Sequence, residues 1–313
     1  MQFTFRKMGV LAPLTLFTAA FICAFFLSTR TVIDERHYAT EAFDLYRHGR
    51  IPRIYPLLPT VSSVFLTVFG VTKASFILAP FLTGLLSVFL TYMLSKEIFG
   101  DESRAVLGSW LVACNPLLIW LSARHMTEAL FTCMLTFTML LLCKTRRSFG
   151  LSLSAGLSSL LTYLSRYPGI LLFPYIMAVY IAQKRPLRIL LAFVFSLVLL
   201  AVYWAVNALT SGVALTTELY SFSTLLGKTG AFSLHLSAEL LANMLTKSFM
   251  GLALLLGYSL PFFRHVKIRA ISGVHSILLS FIALYSFLHV GYYAILSLSW
   301  GFAWSVDHFA RYL

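Results

Sequence analysis

Carboxylates, arginines and histidines that could do chemistry stand in four short segments that long apolar runs separate. These segments are Asp34-Glu35-Arg36-His37-Tyr38, Arg124-His125-Met126-Thr127-Glu128, Arg166, and Asp307-His308-Phe309-Ala310-Arg311-Tyr312. A carboxylate can take a proton from an attacking hydroxyl. The planar fork of an arginine suits the phosphate oxygens of an anionic lipid head group. If the chain brings these segments together, they form a site with a base and several cations.

The adjacent carboxylates of Asp34 and Glu35 have two interpretations. In a mainly cationic loop, one carboxylate can serve as a base while the other positions a partner. The pair can equally mark the start of a helix, where an aspartate caps the backbone and favours the helix dipole. The sequence leaves both open.

The remaining polar positions also have a functional and a structural interpretation. Glu128, an ionisable group at the rim of an apolar run, either has a function in the site or only pairs with Arg124 along one helix. Arg166 binds an anionic head group, or it extends to the membrane surface. Arg311, together with His308, either belongs to the same site or is solvated near the end of the chain.

Composition predicts the class of fold. Hydrophobic residues make up 59% of the 313 residues, charged residues make up 11%, and the mean hydropathy is +0.85. A soluble domain carries about 25% charged residues, and about 20 apolar residues cross a bilayer as a helix. We therefore expect an all-α, polytopic transmembrane bundle. About nine spans are predicted, at 9–28, 74–96, 104–122, 127–143, 150–164, 168–183, 187–208, 246–263 and 271–296.

The net charge of +13 does not indicate nucleic-acid binding, because the basic residues form short clusters between the apolar runs. Under the positive-inside rule these clusters mark cytoplasmic loops. All of them share one side if 59–69 lies flat at the membrane surface as an interfacial helix. The first external loop is then 29–73, with juxtamembrane helices, and a long external loop follows at 210–245. The four polar segments fall on this external side.

The order of the motifs resembles a known family. It runs Asp34-Glu35-x-x-Tyr38, Tyr55-Pro-x-x-Pro59, Phe69-Gly70, Ser-Ala-Arg124-x-x-x-Glu128, Ser-Arg166-Tyr-Pro-Gly and His308-Phe-Ala-Arg311-Tyr312. This pattern resembles the GT-C membrane glycosyltransferases. The nearest branch is that of the dolichyl-phosphate-mannose–protein mannosyltransferases and aminoarabinose transferases.

The resemblance implies roles for individual residues. Asp34 would be the base that activates the acceptor, with Glu35 and Glu128 as further acidic groups. The residues implied to contact the donor phosphate are Arg166, Arg311 and Arg124. The residues implied to shape the substrate site are His37, Tyr38 and His308. A divalent metal is possible, with Asp34 and Glu128 as ligands.

The resemblance also implies a single GT-C-like domain over 1–313. Relatives usually continue past the Arg-Tyr segment with further spans or a soluble domain, so this chain is expected to be a natural short form, a fragment or half of a split protein. Its implied partners are a polyprenyl-phosphate sugar donor, membrane lipids and an acceptor that is a protein, a lipid or a glycan. The implied location is the cell membrane, with the active face extracytoplasmic.

Two other classes of function stay open. A lipid or solute transporter would also have a high apolar content, and Asn115-Pro116 interrupts one predicted span as transporter helices are often interrupted. A non-catalytic subunit of a membrane complex would fit the early end of the chain.

Overall fold

The computed structural model describes residues 9–27, 33–52, 55–144, 148–166, 169–170, 172–173, 175–177 and 186–211. These residues lie within one compact unit, Met1–Ala214. Within them every regular element is a helix and no strand occurs, which confirms the all-α prediction. The predicted spans 246–263 and 271–296 and the loop 210–245, apart from its first two residues, lie outside the described residues.

The helices follow the apolar runs of the sequence closely. In chain order they are α1 (Leu11–Leu27), α2 (Ile33–His48), α3 (Leu57–Phe69), α4 (Lys73–Phe99), α5 (Glu102–Ala113), α6 (Pro116–Ser122), α7 (Thr127–Lys144), α8 (Phe149–Ser165) and α9 (Pro186–Ser211).

Among the described residues, α4 and α7 are long and apolar enough to cross a membrane. The axes of α5 and α6 are bent by 59° relative to each other, and the two helices form a third crossing if they are counted as one span. The bend arises at Asn115-Pro116, because a proline cannot continue the preceding helix. The Asn115 side chain then accepts hydrogen bonds from the backbone N–H groups of Leu117 and Leu118 and so begins α6. The predicted span 104–122 is therefore a broken helix.

The segment 29–73 contains two helices, α2 and α3, and its external location stays a prediction. The 13 residues of α3 are too few to cross a bilayer at about 1.5 Å per residue. It ends at Gly70, whose positive φ of 75° is a conformation that glycine adopts without strain. The placement of α3 at the membrane surface stays a prediction.

A buried apolar cluster holds α2 and α3 against the ends of the longer helices. Its members are Tyr38, Leu58, Ala79, Leu121, Met126 and Leu130. They come from α2, α3, α4, α6, the following turn and α7. The cluster thus fixes α2 and α3 beside the start of α7, where the predicted site residues lie.

Close packing of α4 depends on Gly84. A Cβ at this position would collide with the hydroxyl of Ser122 and lie 2.8 Å from the Phe17 ring. The missing side chain lets α4 approach α6 and α1 together. This approach places the end of α6, and the turn that follows it, next to α4.

Candidate active site

The acidic pair at the start of the first external loop lies on a helix. Asp34 and Glu35 are in the first turn of α2, so the structural interpretation of the pair as a helix start is correct for the backbone. Glu35 is nevertheless buried and His37 is exposed. A solvated helix start therefore does not describe Glu35, whose carboxylate is directed into the protein.

Glu35 is paired with Arg124, a residue far along the chain. Arg124 Nη1 lies 3.7 Å from one carboxylate oxygen, and the backbone N–H of His125 donates to the other at 3.4 Å. The guanidinium of Arg124 also lies over the Trp120 ring, 4.3 Å from its centroid. Both charged side chains are buried, so each one needs the opposite charge of the other.

Glu128 is paired with Arg166. The distance from Glu128 Oε1 to Arg166 Nη1 is 2.7 Å, and the side chains are only 9% and 5% exposed. Glu128 lies in the first turn of α7, and Arg166 directly follows the last residue of α8. The antiparallel packing of α7 against α8 brings these two helix ends together.

This pairing corrects one interpretation of the sequence. A pair between Arg124 and Glu128 along one helix does not form, because Arg124 lies in the turn before α7 begins at Thr127. The two residues are therefore not on one helical face, as such a pair requires. Arg166 is also enclosed by protein and does not extend outward.

Two residues near these pairs, Tyr55 and His125, were given no role in the site by the sequence-based prediction. The aromatic ring of Tyr55 lies 5.7 Å from the Arg166 guanidinium and 6.2 Å from the Tyr38 ring. Tyr55 has a φ of 45°, a left-handed conformation that is rare for a bulky side chain. The motif Tyr55-Pro-x-x-Pro59 contributed to the family resemblance but implied no role for this ring, since nothing local indicates where the ring points.

His125 is the second residue that the prediction omitted. It is 1% exposed, and its Nε2 is hydrogen-bonded to Ser62 Oγ at 2.7 Å. Its ring meets the Phe76 ring edge-on at 5.5 Å. Burial lowers the pKa of His125 to about 3, so the imidazole is neutral at ordinary pH. Its position beside Arg124 in the sequence was the available signal.

The other predicted residues are placed as follows. His37 lies 3.5 Å from Glu41 on an exposed part of α2, and Tyr38 belongs to the buried apolar cluster. Their roles in substrate binding stay predictions. Arg311 and His308 lie outside the described residues.

The described residues contain no group of three or more histidine, cysteine, aspartate or glutamate side chains that could hold a metal ion. Glu128 is engaged with Arg166 through one oxygen, and its other oxygen is buried without a hydrogen-bond partner in this part of the chain. The two carboxylate oxygens of Glu128 do not form a metal site by themselves. The predicted use of Asp34 and Glu128 as metal ligands stays a prediction.

The solved structures similar to this chain include two crystal structures of the oligosaccharyltransferase of Archaeoglobus fulgidus. One is tethered to an acceptor peptide containing the NVT sequon, and the other is a complex with Zn and sulfate. Identity is 16% to both, and the TM-scores are 0.47 and 0.45. The match covers 91% of this chain but only 49% and 48% of those chains, so this chain spans about half their length. Comparison with curated proteins gives no match.

A family model described as dolichyl-phosphate-mannose-protein mannosyltransferase matches residues 52–209. The matched residues include Arg124, Glu128 and Arg166, whereas Asp34 and Glu35 precede them. The matched range also includes helices α3 to α8. The apolar helices among them identify a membrane protein. The resemblance noted in the sequence is thereby confirmed, and the chain belongs to the dolichyl-phosphate-mannose-protein mannosyltransferase family.

Proposed function

We propose that this chain transfers a glycosyl group from a polyprenyl-phosphate-linked donor to an acceptor hydroxyl. The observation that carries the proposal is the convergence of two buried acid–arginine pairs, Glu35–Arg124 and Glu128–Arg166. Their four residues come from three separate segments of the sequence and meet at one end of α7 and α8. The family match supports glycosyl transfer as the class of reaction.

Stability alone does not account for these pairs. Burying two charges costs free energy that their attraction repays only in part, and apolar residues of similar volume are often as stable or more so. Two such buried pairs in an apolar protein therefore indicate a function for their charges. Binding and transfer of an anionic donor is the function that uses both arginines.

The arginines are suited to the donor phosphate. A guanidinium has five N–H donors in a fixed plane, so Arg166 can hold Glu128 and still donate to phosphate oxygens. Arg124 is oriented by Trp120 and Glu35 in the same way. Arg311, which the resemblance implies as a third contact, is part of the proposal. These cations would stabilise the negative charge that develops on the phosphate as it leaves.

The transfer step needs one base. Asp34, in the first turn of α2, would take the proton of the acceptor hydroxyl. The acceptor oxygen then forms a bond to the anomeric carbon. The bond from that carbon to the phosphate oxygen breaks, and its electron pair leaves with the lipid phosphate. A phosphate leaving group needs little help from an acid, which distinguishes this scheme from the two-carboxylate scheme of glycoside hydrolases.

The active face would be extracytoplasmic, in the cell membrane. The site lies at the start of α7, whereas Lys144 lies in its last turn. Lys96 likewise lies in the last turn of α4, next to Arg104 at the start of α5. Lys96, Arg104 and Lys144 thus lie at helix ends away from the site, and the positive-inside rule supports a cytoplasmic location for those ends.

The family description names the donor and acceptor to test first. They are dolichyl phosphate mannose and a protein hydroxyl. The decisive assay uses radiolabelled donor and a panel of peptide, lipid and glycan acceptors in proteoliposomes that contain this chain. Asp34→Asn should abolish transfer while membrane insertion and donor binding persist. Asp44→Asn, on the same helix, is the matched control and should retain transfer.

Retained turnover in Asp34→Asn would show that another residue is the base. If the well-folded wild-type chain transfers nothing to any acceptor, the proposed function is wrong for this chain alone. Parallel assays with and without EDTA decide whether a divalent metal takes part through Asp34 and Glu128.

A lipid or solute transporter is the second candidate, because the break between α5 and α6 resembles the interrupted helices of transporters. Cys114 and Asn115 at this break are exposed, and neither carries a charge at neutral pH. The charged pairs lie instead at the start of α7. Movement of substrate across the same proteoliposomes without any glycosylated product would favour transport.

A further inference from the structure

His125 connects three helices from the turn between α6 and α7. Its Nε2 is hydrogen-bonded to Ser62 Oγ of α3 at 2.7 Å, and its ring packs edge-on against Phe76 of α4. Its backbone N–H donates to Glu35 of α2. The ring therefore anchors the turn on α3 and α4, while the backbone of the same residue contacts the acidic group of the site.

The chemistry of His125 excludes a direct role in transfer. The side chain is 1% exposed, and burial keeps the imidazole uncharged at neutral pH. It is neither a cation for a phosphate nor an accessible base. Its effect on the reaction must pass through the groups that it holds in place.

A purely stabilising role does not account for a histidine at this position. Its Nδ1 is buried and has no hydrogen-bond partner in the described part of the chain. Such an unpaired polar atom destabilises the folded state, and an apolar residue of similar size would avoid that cost. What an apolar residue cannot provide is the directed hydrogen bond to Ser62.

We propose that His125 is a positioning residue for the transfer reaction. By fixing its turn against α3 and α4, it keeps its own backbone N–H and the neighbouring Arg124 in contact with Glu35. Because Asp34 precedes Glu35 in the first turn of α2, this contact also fixes the backbone that carries the proposed base. The expected effect on transfer, the catalytic consequence, rests on the proposed function. The expected effect on the position of Glu35, the geometric consequence, does not.

The geometric consequence is tested by labelling carboxylates. The purified full-length chain is treated with a carbodiimide and an amine, and modification of each glutamate is followed by mass spectrometry. His125→Leu removes both ring nitrogens but keeps an apolar side chain, and His125→Gln keeps a polar group near the position of Nε2. His48→Leu is the matched control, because His48 is an exposed histidine on α2.

We expect His125→Leu to raise the labelling rate of Glu35 roughly fivefold through local opening of the turn, without changing that of Glu128. His125→Gln should restore the wild-type rate, and His48→Leu should have no effect. An unchanged rate at Glu35 in His125→Leu would overturn the proposal. An equal rise at Glu35 and Glu128 would also overturn it, because general loosening of the fold would then explain both.

The catalytic consequence is tested in the transfer assay. His125→Leu should lower kcat about tenfold and raise KM for the donor by a smaller factor, since Arg124 loses its fixed position while Arg166 keeps its partner. The thermal midpoint should change little, because removing the buried Nδ1 offsets the cost of leaving the Ser62 hydroxyl without its partner. A lower midpoint with unchanged kcat would show a structural role only and overturn the proposal.

Two further arrangements keep the test decisive. If His125→Leu fails to fold, Ser62→Ala replaces it, since this variant removes the same hydrogen bond from the other side. If the wild-type chain shows no transfer, the proposed function fails, and the labelling of Glu35 still decides whether His125 positions it.

Discussion

Glu128 and Arg166 form an ion pair of 2.7 Å between the first turn of α7 and the residue that ends α8. The two residues lie at the ends of different helices, so the packing of α7 against α8 creates the pair. The Tyr55 ring lies against the same guanidinium. Arg166 is thus held by an acidic group and an aromatic face in an otherwise apolar protein, and its removal should have measurable consequences.

Removing one member of this pair should destabilise the protein strongly. Arg166→Met leaves the carboxylate of Glu128 buried without its counter-charge, which typically costs about 3–5 kcal/mol. We expect a clearly lower thermal midpoint in detergent. In the double variant Arg166→Met/Glu128→Leu the midpoint should recover, because no uncompensated charge remains. Strictly additive effects of the two substitutions would contradict a direct interaction.

Arg124 should be sensitive even to a substitution that keeps its charge. Arg124→Lys loses the planar fork that contacts Glu35 and the flat face that lies on the Trp120 ring. We expect transfer efficiency, measured as kcat/KM, to fall about tenfold or more, which corresponds to ~1.4 kcal/mol of transition-state stabilisation. Arg36→Lys on the exposed side of α2 is the control. Equal activity of the two variants would argue against a role for the Arg124 fork.

Gly169 should not tolerate a side chain. A Cβ at this position would lie 2.6 Å from the backbone nitrogen of Tyr163, and a backbone atom cannot move aside as a side chain can. We expect Gly169→Ala to destabilise the protein by about 1–3 kcal/mol, the range seen when extra atoms are forced into a packed site. Gly150→Ala is the control, because no atom lies within 4 Å of its Cβ position. Thermal unfolding of both variants measures the difference.

His125 should make stability depend on pH. Burial lowers its pKa to about 3 in the folded protein, against an ordinary value near 6.5. Below pH 6.5 the unfolded chain binds a proton that the folded protein does not, so stability is full above pH 6.5 and is lost as the pH falls toward 3. The loss should reach about 2 kcal/mol by pH 5.

The measurement is the thermal midpoint of the wild type and of His125→Leu between pH 7 and pH 5. The variant should lose less stability over this interval, because it has no ring to protonate. Parallel curves for the two proteins would show that other groups cause the acid sensitivity.

Local features of the sequence were sufficient to predict most helices. An apolar run long enough to span a membrane becomes a helix because its backbone groups must hydrogen-bond to one another in an apolar environment. The ends follow residues with local effects: Thr72 and Asp101 cap the starts of α4 and α5, and Gly100 ends α4 in a left-handed conformation. The proline after Asn115 likewise predicted the break within the third span.

The candidate site was predictable in membership but not in arrangement. The residues Glu35, Arg124, Glu128 and Arg166 were identified because charged groups in an apolar chain are costly and therefore conspicuous. Which acid meets which arginine was not predictable, and the spacing of Arg124 and Glu128 even suggested a pair that does not form. Ser62 gave no signal, because a serine is common in any helix. Tyr55 belonged to a motif of the resemblance, but that motif implied no role for its ring.

The sequence by itself therefore determined the class of fold, the helices and the charged residues available to the site, since these depend on composition, apolar length and local capping. Only the tertiary structure decided that Glu35 meets Arg124, that Glu128 meets Arg166, and that His125 joins α3 to the site. These contacts depend on how α2, α3, α7 and α8 pack across long separations in sequence. Such packing is set by the shapes of many apolar side chains together and by no single motif.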